Sequence, residues 1–405
     1  MAWAWFAFTD LILCIPCLLF LYYLYNNFLV SHPPVNFPIV GMLPSLLANV
    51  QQFHDWIANS LLVNGNLYFR GPWFSGMEYF FTSDPANVHH IFTQNFQNYP
   101  KGGDFLEIFE VLGDGIFNTD GDSWRFQREK LQLAMSQKSF RTFIAKTTRD
   151  KIENALLPFF SQTVEHDRVI DLQDMFSRLS FDMSCILSFG TDPGSLSMDL
   201  PVVPFGRAVD DASAAIFYRV SRPAVFWKLL KFLGIGQEKK LAKARVVIDQ
   251  FIAEAIEKRK HEMNEGKHVC PDLLSSYLND EDIPNSNEFL RDSVLTFLTA
   301  GRDTISSGLS WFFWALSQNR QTEENILREL SSARQNITPK GMITFDPEEL
   351  DNLVYFKAAF MESLRLFPPV PLNFKAVLKP DILPSGFTLW KGMLSNLHCP
   401  LAFDN

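Results

Sequence analysis

The chain has 405 residues, a formal net charge of −9 and an isoelectric point near 5.4. This acidic balance argues against nucleic-acid binding, which requires a basic surface. Phenylalanine is abundant, with 39 residues, and favours a large apolar interior. No linker, repeat or low-complexity run divides the sequence, so we expect one large core.

The N-terminus carries a long apolar span. Residues 11–24 contain no charge, and with their apolar flanks the span exceeds about twenty residues, the length of a transmembrane helix. A cleaved signal peptide needs a basic region and a small-residue cleavage site, and neither is present. We therefore predict a membrane anchor over residues 1–30 and a proline-bearing connector over residues 31–45.

The elements that follow are predicted to be mostly helical. Two short strands are expected first, at residues 67–70 and 78–82, because β-forming residues flank a turn-rich segment. Apolar residues at helical spacing then predict helices over residues 124–135, 143–157, 171–187, 239–262, 287–316 and 353–367. A last strand is predicted at 387–390. The fold class is therefore mainly α with a small β region.

One further segment, residues 226–233, is amphipathic and basic. Such a segment is typical of a helix that lies at a membrane surface. Packing of its apolar residues into the core explains the same pattern equally well.

The longest predicted helix contains a polar cluster, Ala300-Gly301-Arg302-Asp303-Thr304. A glycine inside a helix costs about 1 kcal/mol, and unpaired buried polar groups cost about 1–3 kcal/mol each. A functional interpretation is that Ala300 and Gly301 admit a flat group against the backbone, while Asp303 and Thr304 handle protons beside it. The alternative is that Thr304 simply bonds back to a carbonyl one turn earlier.

Two further pairs have helical spacing. Glu362 and Arg365 lie three residues apart and share one helix face, and the prolines at 368–371 end that helix. Trp124 and Arg128 lie one turn apart, so both side chains can contact a single anionic group.

In their order and spacing, these motifs resemble the cytochrome P-450 family of haem-thiolate monooxygenases. Trp124 and Arg128 are similar to its W-x-x-x-R, whose residues hydrogen-bond a haem propionate. Ala300-Gly301-Arg302-Asp303-Thr304 is similar to the A-G-x-D/E-T of its oxygen-activating helix. The resemblance implies that Ala300 and Gly301 contact haem and that Asp303 and Thr304 are catalytic.

Glu362 and Arg365 match the family's E-x-x-R, a structural pair that we expect to be buried. Residues 69–73, 98–102 and 383–386 are similar to a plant subgroup. That subgroup includes mid-chain alkane hydroxylases and phenol-coupling alkaloid oxidases. The resemblance implies a cytochrome P-450 fold, with a catalytic domain over residues 46–390 and a divergent tail over 391–405.

The implied activity is hydroxylation of an apolar substrate, of long-chain alkane or fatty-acyl type, with phenol coupling as an alternative. Haem is the expected cofactor, and NADPH supplies electrons through a membrane-bound NADPH–cytochrome reductase. The implied location is the endoplasmic reticulum membrane, crossed once, with the catalytic domain in the cytosol.

The sequence also departs from the family. It contains no F-x-x-G-x-R-x-C segment for the haem-ligating cysteine. Cys399 is a poor candidate ligand because no loop-shaping glycine or arginine surrounds it, and Pro400 lacks a backbone N–H. Residues 394–405 are not typical of the strand and helix that the family has there. We therefore expect a truncated, inactive chain, and a non-catalytic membrane-anchored remnant is the alternative to an enzyme.

Overall fold

The computed structural model describes residues 34–73, 75–267, 269–334, 345 and 347–398. The predicted anchor and Cys399 lie outside these residues. The described residues form two compact units, the first built from those within 34–102, 216–238 and 372–398 and the second from those within 103–215 and 239–371.

The first unit contains the β structure. Strands β1 (Asn66–Arg70), β2 (Glu78–Thr82), β3 (Leu372–Ala376) and β6 (Leu394–His398) form a sheet of order β1-β2-β6-β3. β2 pairs antiparallel with β1 and parallel with β6, and β3 pairs antiparallel with β6. The short strands β4 (Asp381–Ile382) and β5 (Thr388–Leu389) pair separately.

The helices of this unit are α1 (Leu43–Ala48), α2 (Phe53–Asn64), α3 (Pro85–His89) and α10 (Ala224–Leu233). Trp56 and Ile57 of α2 are buried with Phe69 of β1 and Phe81 of β2 in one apolar cluster. Burial of such large side chains contributes about 1.5–3 kcal/mol each and fixes α2 on the sheet.

The second unit is helical. Its helices are α4 (Gly103–Ile108), α5 (Gly121–Ser136), α6 (Lys138–Lys151), α7 (Leu157–Glu165), α8 (Leu172–Phe189), α12 (Leu273–Leu278), α13 (Asn287–Gln318), α14 (Arg320–Arg334), α15 (Pro347–Asp351) and α16 (Val354–Leu366). Two more helices, α9 (Pro204–Val220) and α11 (Gly236–Asn264), pass from one unit to the other.

Helices α8 and α13 make the most extensive contact between two elements of the described chain. The side chain of Ser286 caps α13 by accepting a hydrogen bond from the Phe289 N–H, which supplies one of the partners that a helix start lacks. Farther along, the hydroxyls of Ser177 and Ser306 lie 2.7 Å apart across the two helices. The α8–α13 pair therefore forms the centre of the helical unit.

The mainly helical fold with a small β region is confirmed, but several elements differ from the prediction. The helix expected at 143–157 is divided: α6 ends at Lys151, a π-helical turn spans Ile152–Leu156, and α7 begins at Leu157. Pro158 lies just after this turn, and because a proline has no N–H to donate, it disfavours a regular α-helical hydrogen bond at this point.

The expectation that residues 394–405 lack a strand is wrong for Leu394–His398, which forms β6 between β2 and β3. Helices α9 and α14 and strand β3 were also not predicted. Strand pairing between distant segments is a tertiary effect that a five-residue pattern does not reveal.

Candidate functional site

A cavity of about 790 Å³ opens in the helical unit. Its walls come mainly from α5, α6, α8 and α13, and most of its lining is apolar. Arg128 from the first motif lines it together with Ala300, Gly301 and Thr304 from the second. The structure therefore brings residues from the two motifs into one cavity, although they are far apart in the sequence.

Trp124 and Arg128 lie one turn apart on α5. The guanidinium of Arg128 lies 5.4 Å from the centre of the Trp124 ring, an attractive cation–π geometry. Trp124 is partly buried and Arg128 is exposed. Among the described residues, Arg128 has no carboxylate partner, so its charge at the cavity wall is available to an anionic group.

Gly301 is required by the packing of α13 on α8. A Cβ at this position would lie 2.7 Å from the Ser184 hydroxyl, closer than real contacts allow. A neighbouring helix therefore occupies the space beside this glycine, which gives a second reason for a glycine here, and the interpretation that Ala300 and Gly301 admit a flat group stays a prediction. Gly301 nevertheless lines the cavity beside Ala300.

The Thr304 hydroxyl donates a hydrogen bond to the Ala300 carbonyl oxygen at 2.6 Å. This hydrogen bond to a carbonyl one turn earlier is the alternative that the sequence analysis gave to a functional role for Thr304. The two interpretations are compatible, because the oxygen of Thr304 still has lone pairs and the residue lines the cavity.

Asp303 does not line this cavity, and its side chain is 57% exposed. Partial burial raises the pKa of Asp303, the nearby Arg302 acts in the opposite direction, and the Asp210 charge raises it further. The Nη2 of Arg302 lies 2.5 Å from Asp210, and its Nε lies 3.7 Å from Asp303. Asp303 therefore belongs to a charged group on the side of α13 that meets α9.

Glu362 and Arg365 form the expected pair on α16. The Arg365 Nε and Nη2 donate to the two carboxylate oxygens of Glu362 at 2.7 and 2.5 Å, and these bonds lower the pKa of Glu362. The expectation that the pair is buried is wrong, because the side chains are 54% and 40% exposed. No described element packs over this face of α16 closely enough to bury them.

The described residues suit part of a haem site. Ala300, Gly301 and Thr304 line the cavity and could contact the group, and Arg128 could supply a cation for a propionate. Within the described part of the chain, Cys185 and Cys270 are free cysteines, and neither lines this cavity. The thiolate implied by the resemblance is thus not among the described residues, nor do they contain another cluster suited to a metal ion.

Sequence reasoning missed two parts of this cavity. Gln127, buried beside Arg128, lines it, as do Ile116 and Phe117 from the loop before α5. The glycines at 113 and 115 were the available signal, because two closely spaced glycines often mark a close approach of backbone to another element.

Comparisons with known proteins show the family of the chain. A family model described as Cytochrome P450 matches residues 31–397. The chain is 38% identical to alkane hydroxylase MAH1 of Arabidopsis thaliana over 361 residues, which are 87% of this chain and 70% of that protein. It is 37% identical to noroxomaritidine synthase of Narcissus aff. pseudonarcissus MK-2014 over 401 residues, 96% of this chain and 78% of that protein.

Proposed function

The chain belongs to the cytochrome P450 family of monooxygenases, and on that premise we propose that it hydroxylates a long-chain apolar substrate of alkane or fatty-acyl type. The observation that carries this proposal is the cavity of about 790 Å³, whose lining is largely apolar around Ala300, Gly301 and Thr304. The similarity to alkane hydroxylase MAH1 supports the same substrate class.

The cofactor would be held mainly by α5 and α13. Arg128 would pair with a propionate, and Trp124 would keep the guanidinium oriented through its ring. Ala300 and Gly301 would contact the group from the wall of the cavity. When bound, haem with a thiolate ligand supplies the oxygen-activating chemistry.

The polar residues of α13 would manage protons. Thr304 holds a proton at Oγ1 on the cavity wall and can redirect it from the Ala300 carbonyl oxygen toward a bound group. Partial burial raises the pKa of Asp303 above its ordinary value, which favours the protonated carboxyl relative to an ordinary aspartate. Its exposure lets it take those protons from solvent.

A second candidate is a phenol-coupling oxidase of alkaloid synthesis. The similarity to noroxomaritidine synthase, which extends over 96% of this chain, favours it. Both candidate functions use the same haem site and differ only in the substrate.

We further propose residues 1–30 as a single membrane anchor, 31–45 as a connector, 46–390 as the catalytic domain and 391–405 as a tail. The location is the endoplasmic reticulum membrane, with an NADPH–cytochrome reductase as electron donor. Among the described residues, no helix combines the length and apolar character needed to cross a bilayer. Support comes from α10, whose apolar residues Phe226, Leu229 and Phe232 are exposed.

The test is to express the protein in microsomes with a plant NADPH–cytochrome reductase and supply either nonacosane and hexadecanoic acid or a diphenolic amine. Hydroxylated alkane or acid is the expected product. Coupled phenol instead would establish the second candidate. A protein that shows no thiolate-type carbon monoxide spectrum and no product would support the non-catalytic alternative.

A further inference from the structure

The loop that precedes α5 lies directly against α13 through two glycines. Gly113 has a φ of 60°, and a Cβ there would overlap the Asp292 carboxylate. A Cβ at Gly115 would overlap the Thr296 hydroxyl and lie 2.8 Å from the Asp292 carbonyl oxygen. Larger residues at these two positions would push the backbone away from α13.

The first turns of α13 hold this loop by its backbone. The Asp292 carboxylate accepts a hydrogen bond from the Asp114 N–H at 2.7 Å. Arg291 Nη1 donates to the Val111 carbonyl oxygen at 2.9 Å and to Asp292 at 2.8 Å. Hydrogen bonds to ionised groups are stronger than neutral ones, so this clamp, the pair Arg291–Asp292, fixes both ends of Val111–Asp114.

The clamp is itself held by α11. Arg291 Nη2 and Nε both donate to one carboxylate oxygen of Asp249, at 2.6 and 2.9 Å. The Arg291 side chain is only 13% exposed, so solvent screens these contacts weakly. Its orientation is therefore set before any ligand binds.

A second anchor comes from α5. The side chain of Gln127, which lines the cavity, donates from Nε2 to the Asp114 carbonyl oxygen at 2.9 Å. Asn118 Nδ2 donates to the Gly113 carbonyl oxygen at the same distance. The loop is thus tied to α13 on one side and to α5 on the other.

The residues just after these anchors form part of the cavity wall. Ile116 and Phe117 line the cavity, whereas Arg291 and Asp292 do not. Any movement of the loop backbone would displace Ile116 and Phe117. It would also uncover Thr296, whose buried hydroxyl has no hydrogen-bond partner.

We propose that Arg291 and Asp292 are positioning residues that fix the loop as a rigid cavity wall and thereby set the discrimination between slim and branched apolar substrates. This inference rests on the proposed function for the substrate class. The clamp acts through the loop and touches no substrate.

The experiment compares the full-length protein with Arg291→Gln, Asp292→Asn and the milder Arg291→Lys. Arg320→Lys is the matched control, because its carboxylate partner Glu324 lies in an exposed pair on α14. Binding is read from the fluorescence of N-phenyl-1-naphthylamine and from its displacement by hexadecanoic acid or by phytanic acid. Phytanic acid carries four methyl branches on the same sixteen-carbon chain.

In the unsubstituted protein we expect hexadecanoic acid to displace the probe more effectively than phytanic acid. Loss of the clamp should reduce this preference by about tenfold, the effect of about one hydrogen bond. Hydrogen exchange at the Asp114 amide should accelerate by a similar factor, whereas Arg320→Lys should change neither. Thermal unfolding of each variant separates a local opening from global loss of structure.

Faster exchange with an unchanged preference would overturn the proposal, since the clamp would then serve the fold alone. An altered preference without faster exchange would also overturn it. If neither acid displaces the probe from the unsubstituted protein, the proposed substrate class is wrong. The role of the clamp is then tested by the affinity of the protein for the probe itself. An unchanged affinity in Arg291→Gln would overturn the proposal that the clamp fixes the cavity wall.

Discussion

Arg219 and Glu238 form a two-bond ion pair that is closed off from solvent. Arg219 Nε and Nη2 donate to the two Glu238 carboxylate oxygens at 2.8 and 2.6 Å. The guanidinium also lies 4.5 Å from the centre of the buried Trp227 ring. Because Trp227 belongs to α10, this pair fixes the helix that exposes Phe226, Leu229 and Phe232.

We expect Glu238→Gln to lower the free energy of unfolding by about 3 kcal/mol, because the buried Arg219 guanidinium would lose the charge of the carboxylate that accepts two of its hydrogen bonds. Urea denaturation followed by circular dichroism measures the change. Glu324→Gln is the control, since its partner Arg320 is 89% exposed and such surface pairs contribute about 1 kcal/mol or less. Equal effects from the two substitutions would contradict the prediction.

A half-buried acid, Asp381, gives a pH-dependent prediction. The Asp381 carboxylate accepts hydrogen bonds from Tyr99 at 2.6 Å and from His90 and Asn95 at 2.8 Å each. Burial alone would raise the pKa of Asp381, but these bonds outweigh it and lower the pKa from 3.8 to about 2. The folded-state pKa is thus below the unfolded one, so the stabilisation is present above about pH 4 and is lost as the pH falls toward about 2.

We therefore expect Asp381→Asn to reduce stability at pH 7 by roughly 2 kcal/mol and to flatten the fall in stability between about pH 4 and pH 2. Tyr99→Phe, which removes one donor and keeps the ring, should give an intermediate curve. Urea unfolding at a series of pH values measures both. An unchanged slope in Asp381→Asn would show that other carboxylates cause the acid transition.

The long helix α13 was predictable because its signals are local. The Ser286 cap and the unbroken apolar spacing begin it at Asn287, as expected, and it ends at Gln318, two residues beyond the predicted end. The resemblance likewise placed Arg128, Ala300 and Thr304 at one site, and the structure puts them in one cavity.

Other features depend on partners that the local pattern does not reveal. Strand β6 forms because β2 and β3 lie on either side of it. Gly301 lies against a hydroxyl on α8, and the Arg291–Asp292 clamp acts on a loop far earlier in the chain. Spacing along one helix shows which residues share a face, but not which neighbour that face meets.

The role proposed for Thr304 predicts a specific kinetic defect. Thr304→Val keeps the shape of the side chain and removes the hydroxyl at the cavity wall. We expect substrate hydroxylation to fall by about 100-fold, the lower range for loss of a proton-transfer group, while reductase-driven NADPH consumption continues. The ratio of product to NADPH, measured in microsomes, reports this directly. Thr304→Ser should keep most of the ratio, and equal ratios in both variants would contradict the proposed role.

The contact between Gly301 and Ser184 predicts a rescue. Gly301→Ala should destabilise the protein by about 1–3 kcal/mol, because the new methyl group would lie 2.7 Å from the Ser184 hydroxyl. In a Ser184→Ala background that oxygen is absent, and the same change should be neutral or stabilise by up to about 1 kcal/mol through helix propensity. Urea unfolding of the two single variants and the double variant gives the coupling energy between positions 184 and 301.

Stabilisation by Gly301→Ala in both backgrounds would contradict this prediction, because it would show that α8 and α13 move apart at little cost. If the double variant regains stability yet loses haem, Gly301 has a second role at the cavity surface.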